Sequence, residues 1–150
     1  MSEDRLTTGQ SVVWRSYIES SLRLQTRIDD ELRADHGLTL IDYHILVLLS
    51  EAPDQRLRMS ELADAMVFSR SRLTYQIASM DKRGMVTRER VADDGRGACA
   101  VLSPDGLRAV QAAAPTHAAT VRELFLDALD PDELDLLGTV FDRLRTRLQG

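Results

Sequence analysis

Apolar positions along the chain change period several times, and each change marks an element. Val13, Tyr17, Leu24, Ile28 and Leu32 recur on one face of a 3.6-residue helix. They predict a helix from Ser11 to Ala34, ended by Gly37 with His36 beside it. Trp14, Ile18 and Leu22 widen the stripe beyond what a lone surface helix needs, so part of it is expected to face a partner chain. Thr39 is placed to cap a second helix, with Asp42 in its positive first turn. Ile41, Ile45, Leu46, Val47, Leu48 and Leu49 make that helix apolar nearly all round, the mark of a central core helix. Ala52-Pro53-Asp54 closes it, and Leu57 to Met59 reads as a brief exposed edge strand.

The stretch from Met59 to Ser103 organises the rest. Ser60 is expected to cap a short helix, Glu61 to Met66, with Leu62 and Met66 inward. Val67 and Phe68 fill a tight turn, and Ser69 caps a longer helix from Arg70 to Arg83. That helix has a narrow buried stripe, Leu73, Ile77 and Met80, and Gly84 is expected to end it with a positive φ. Met85 to Val91 and Ala98 to Ser103 read as two strands joined by an Asp-Gly turn over Ala92 to Gly97. The order is helix-turn-helix followed by a β-hairpin.

From Pro104, with Ser103 as its cap, a helix is predicted toward Leu129, kinked or broken at Pro115. Asp130, Pro131 and Glu133 open a final helix with a capping-box arrangement, and its stripe is Leu134, Leu137, Phe141, Leu144 and Leu148. We read the first and last helices as an intersubunit bundle. The predicted fold is therefore mainly α with a small β-hairpin wing: a winged helix-turn-helix with N- and C-terminal dimerisation helices. It forms one domain, 1–150, with dimerisation helices at 11–34 and 104–149 and the reading lobe at 39–103.

Composition adds little to this and excludes several classes. The 150 residues are 43% hydrophobic and 29% charged, values of an ordinary globular domain. Aromatics are 5%, so the core must be built from aliphatic side chains. No apolar run approaches the roughly 18 residues of a membrane span, and the polar first residues lack the apolar core of a signal peptide. The single cysteine, Cys99, leaves no internal disulfide, so a cytoplasmic location is expected. His36, His44 and His117 are scattered without metal-ligand spacing, so no metal and no cofactor is expected. Neither a Gly-rich phosphate loop nor a nucleophile elbow is present, and the chain is not read as an enzyme.

Net charge is −5, which at first argues against nucleic acid, but its distribution reverses the argument. From Ser69 to Arg90, the basic residues Arg70, Arg72, Lys82, Arg83, Arg88 and Arg90 face only Asp81 and Glu89. A local basic face can still track phosphates, because exposed charges are screened within roughly 8 Å at physiological salt. An ordinary exposed helix carries Glu and Lys; here the outward face up to Met80 is Arg70, Ser71, Arg72, Thr74, Tyr75, Gln76 and Ser79. Arg matches guanine, Gln matches adenine and Thr meets the thymine methyl. Arg96 at the hairpin tip suits a minor groove, with Asp94 able to brace it. The competing reading is a winged-helix protein-interaction module without DNA binding; Arg70, Arg72 and Arg96 oppose it.

These residues closely resemble the MarR family of bacterial transcriptional regulators. The resemblance rests on "RMSELADAMVFSRSRLTYQIASMDKRGMVTRERVADDGRGACAVLSPDG", Arg58 to Gly106, with "GLTLIDYHILVLLSEAP" before it. It covers about residues 11 to 149 and includes the Asp-x-Arg of the wing at Asp94 and Arg96. It implies a homodimer on a double-stranded, pseudo-palindromic operator, acting as a repressor, with recognition helices about 34 Å apart. It implies major-groove roles for Arg70, Ser71, Arg72, Thr74, Tyr75 and Gln76, a minor-groove role for Arg96 braced by Asp94, and phosphate contacts from Arg88 and Arg90. It further implies release by a small aromatic effector, in a pocket for which Trp14, Tyr17, Tyr43, His44 and His117 are the candidates. Oxidation-sensing members carry their cysteine in the first helix, whereas Cys99 lies on the wing and reads as packing.

Overall fold

The structure, a computed structural model, describes residues 5–91 and 97–150. The described residues divide into two compact units, residues up to Ile28 with His117–Gly150, and Asp29–Thr116. Among the described residues the order is α1 (Thr8–His36), α2 (Leu40–Glu51), a 3-10 turn, β1 (Arg56–Arg58), α3 (Met59–Met66), α4 (Arg70–Lys82), β2 (Val86–Arg90), β3 (Ala98–Leu102), α5 (Pro104–Leu124), a second 3-10 turn and α6 (Pro131–Leu148).

In the larger unit, Leu32, Ile45, Leu46, Leu49, Leu62, Leu73, Ile77, Met80 and Val86 are fully buried and form an aliphatic core. Helix α2 is central to it, as its all-round apolar pattern requires. Thr39 and Asp42 make a reciprocal capping box, each side chain bonded to the other's backbone N–H at 2.9 and 3.0 Å. The sheet is antiparallel in the order β1-β3-β2, so β3 is central. Ala100 sits between Leu57 and Arg88 in the sheet and is fully buried.

Residue by residue, the "LSPDG" segment explains how the wing passes into α5. Ser103 caps the helix, accepting from the Gly106 N–H at 2.9 Å, while its hydroxyl donates to the Gly84 carbonyl at 2.6 Å. A Cβ at Gly106 would lie 2.1 Å from the Met85 carbonyl oxygen, so glycine is required by close approach.

Several boundaries differ from expectation, each for a local reason. Helix α1 starts at Thr8 because Thr7 and Gln10 cap it reciprocally, a Thr-x-x-Gln signature. Helix α3 starts at Met59, with Arg58 rather than Ser60 in the cap position and no side-chain cap; the chain passes directly from the β1 ladder into the helix. Pro115 does not end α5, since one missing N–H leaves the other backbone bonds of the turn in place. The helix stops at Leu124, short of Leu129, and a 3-10 turn at Leu126–Ala128 follows.

In the smaller unit, α6 opens on the Asp130–Glu133 capping box and buries none of its residues. Val12, Val13, Trp14, Tyr17 and Leu22 of α1, with Leu134, Leu136, Phe141, Leu144 and Leu148 of α6, are large apolar side chains left exposed. Tyr17 meets both Trp14 and Phe141, with ring centroids 6.0 and 6.5 Å apart.

Candidate nucleic-acid interface

The turn between α3 and α4 is set by Val67, which stands in the left-handed region at φ 56°, ψ 42°. The Phe68 N–H returns to the Ala63 carbonyl at 2.9 Å, closing α3. Ser69 then caps α4, its hydroxyl accepting from the Arg72 N–H at 3.2 Å. With Leu73, Ile77 and Met80 buried, α4 presents Arg70, Ser71, Arg72, Thr74 and Tyr75 outward, and Tyr75 is 79% exposed.

The exposed side chains are not equally free. The Arg72 guanidinium lies over the Phe68 ring, its carbon 3.8 Å from the ring centroid. The Thr74 hydroxyl donates back to the Arg70 carbonyl at 2.9 Å. Beside this face is a cleft of about 310 Å³ lined by Arg58, Ser60, Arg70, Thr74 and Arg88 among others. Glu89, the acid of β2, pairs with Arg56 of β1 at 2.8 Å, so Arg88 and Arg90 keep an exposed basic edge.

Gln76 departs from its expected place on this face. It is half-buried, and its amide nitrogen donates to Asp42 Oδ1 at 2.7 Å. One N–H of the amide expected to read adenine is bonded within the protein. The fully buried Asp42 is the hub of this network. Arg83 Nη1 and Nη2 donate to its two oxygens at 2.7 and 2.8 Å, and the Thr39 N–H supplies a fourth bond, so the carboxylate's lone-pair positions are filled. Burial pushes this carboxyl up, but the Arg83 hydrogen bonds, the Thr39 backbone and the Arg83 charge outweigh it and hold Asp42 below the ordinary carboxylate range. The network ties the first turn of α2 to the middle and the C-cap of α4. The Thr39-x-x-Asp42 cap was visible in the sequence; Arg83 as partner, far along the chain, was not.

Residues 36–97 match the sequence profile of the MarR family. AbsC of Streptomyces coelicolor, a MarR family transcriptional regulator, is 39% identical, with 97% of this chain and 98% of that chain aligned and a TM-score of 0.92. The chain belongs to the MarR family. Sco3205, a MarR family regulator of the same organism solved in complex with DNA, is 37% identical over 99% of this chain and 93% of its own, with a TM-score of 0.95. The transcriptional repressor YetL of Bacillus subtilis (strain 168) is 26% identical over 114 residues, 74% of this chain and 68% of its own length.

The remaining family expectations fare differently in this MarR chain. Asp94 and Arg96 lie outside the described residues. Of the five pocket candidates, Trp14 and Tyr17 are neighbours on α1, with exposed rings. Tyr43 belongs to the core of the larger unit, where burial pushes its phenol up. His44 is exposed and His117 half-buried. Cys99 is buried on central strand β3, in register with Arg58 and Glu89, as a packing residue would be. Phe68, Arg56 and Arg58 are additions that periodicity did not single out.

Proposed function

We propose that the chain is a homodimeric repressor that binds a pseudo-palindromic DNA operator. The observation that carries this reading is the acid-free outward face at the start of α4, continuous with the arginine-lined cleft of Arg58, Arg70 and Arg88. Arg70, Ser71, Arg72, Thr74 and Tyr75 enter the major groove, Arg88 and Arg90 take phosphates, and Arg96, braced by Asp94, takes the flanking minor groove. Support comes also from the 37% identity to a MarR regulator that is solved on DNA. Dimerisation is supported by the exposed apolar row of α6 and by Val12, Val13 and Leu22 of α1. The Trp14–Tyr17 pair offers a stacking platform to a small aromatic effector, and quenching of the chain's single tryptophan by small aromatic acids reports on it.

Fluorescence anisotropy on the intergenic DNA beside the gene tests the central claim. Binding is expected to weaken steeply with salt, as phosphate neutralisation requires. No binding at low ionic strength would overturn it. Light scattering tests the dimer: deletion from Asp130 onward is expected to give monomer or aggregate, and a stable folded dimer would refute the assignment.

A further inference from the structure

The two ends of α4 are committed differently, and the difference bears on what the protein reads. At the middle of the helix Gln76, and at its C-cap Arg83, are both bonded to Asp42. At its start, the Arg72 backbone N–H is bonded to the Ser69 cap, and its guanidinium carbon lies over the Phe68 ring, 3.8 Å from the centroid. Phe68 is itself half-buried, with its backbone fixed to Ala63. Stacking occupies the face of a guanidinium and leaves its edge, with paired N–H donors, available. That edge is the group that matches guanine O6 and N7 in the major groove. It stands in the first turn of the helix, the part of a recognition helix that meets base edges.

We propose that Arg72 reads one guanine in each operator half-site and that Phe68 is the positioning residue that presents it. This inference rests on the DNA-binding reading above. An arginine on a flexible stem must lose its rotamer freedom when it docks on a base. One already laid on an aromatic ring has lost much of it beforehand, so correct and incorrect bases differ more in the free energy of docking. Phe68 touches no base in this scheme; it acts through Arg72.

Binding-site selection from a randomised half-site library tests the proposal, with the parent, Phe68→Leu, Phe68→Tyr and Arg72→Lys compared. The parent is expected to prefer guanine at one major-groove position by roughly ten- to hundredfold. Phe68→Leu and Arg72→Lys are expected to lose that preference and keep the others, and Phe68→Tyr is expected to retain it. A merely structural Phe68 would lower affinity at all positions alike. An unchanged guanine preference in Phe68→Leu or Arg72→Lys overturns the proposal, as does a parent that binds DNA but selects no guanine. A parent that binds no DNA at low salt overturns the DNA reading itself. Should Phe68→Leu melt below the assay temperature, the stack is measured in the parent by NMR. An upfield ring-current shift of the Arg72 side chain is expected, and its absence overturns the role given to Phe68.

Discussion

Arg83 grips Asp42 with both of its terminal nitrogens, at 2.7 and 2.8 Å, across 41 residues of sequence. The pair joins a fully buried carboxylate to a side chain that is 38% exposed. Removing the arginine strands the acid in the core. Breaking a fully buried pair costs about 3–5 kcal/mol, and the partial exposure of Arg83 reduces that, so Arg83→Ala is expected to cost about 2 kcal/mol. Chemical denaturation measures it; a loss below about 0.5 kcal/mol, the range of an ordinary surface change, would contradict the assignment.

The same pair makes stability depend on acid. The Asp42 carboxyl is held below its unfolded value, so the unfolded chain binds the proton more readily. Its contribution is whole above about pH 5 and is lost as pH falls through the depressed folded value. Asp42→Asn is therefore expected to be less stable than the parent at pH 7, with a gap that narrows below pH 5. Urea melts at several pH values measure this, and a constant gap down to about pH 2 would count against it.

Gln76→Ala separates the two roles considered for that residue. With its nitrogen committed to Asp42, the change is expected to cost about 1 kcal/mol, a typical hydrogen-bond contribution, and to leave the selected operator sequence unaltered. A changed base preference at one position would restore Gln76 to the reading face.

Gly106→Ala tests the close approach between α5 and the strand entry. The added methyl would meet the Met85 carbonyl at 2.1 Å, and this neighbour is backbone, which cannot swing aside. A loss of about 3 kcal/mol is expected, near the upper end for overpacking, or a fall of roughly 6–12 °C in Tm. An unchanged melting curve would show that the contact relaxes.

Val67→Gly should act in the opposite direction. A β-branched residue at φ 56° is strained, and Val67 is 89% exposed, so its side chain contributes little packing. Relief of about 1–3 kcal/mol of strain, less the entropy that glycine adds to the unfolded chain, is expected to give a net gain of about 1 kcal/mol. A denaturation midpoint at or below that of the parent would refute the strain.

Much of the fold was legible because it rests on short-range chemistry. The Thr39, Ser69 and Asp130 caps, the Gly84 stop and the Leu73-Ile77-Met80 stripe are all signals within four residues of one another, and the structure contains each. The Ser60 cap failed because a strand ladder, a long-range feature, delivers the chain into α3. The reading face was legible as a composition, an absence of acids along one helix up to Met80. Its internal bonding was not. Nothing in the spacing of Gln76 and Arg83 says that both reach Asp42, and nothing in Phe68 marks it as the platform for Arg72. Periodicity tells which side of a helix faces out; only tertiary geometry tells which outward groups are already spoken for.

Helix α6 runs for 18 residues and buries none of them within its own chain. On the dimeric reading, its order is borrowed from a second copy, and the folding of this unit is second order in protein. Mass action then makes its melting midpoint rise with the logarithm of total concentration. The abundance of the chain becomes a control variable for its own folded state, acting before any operator is met.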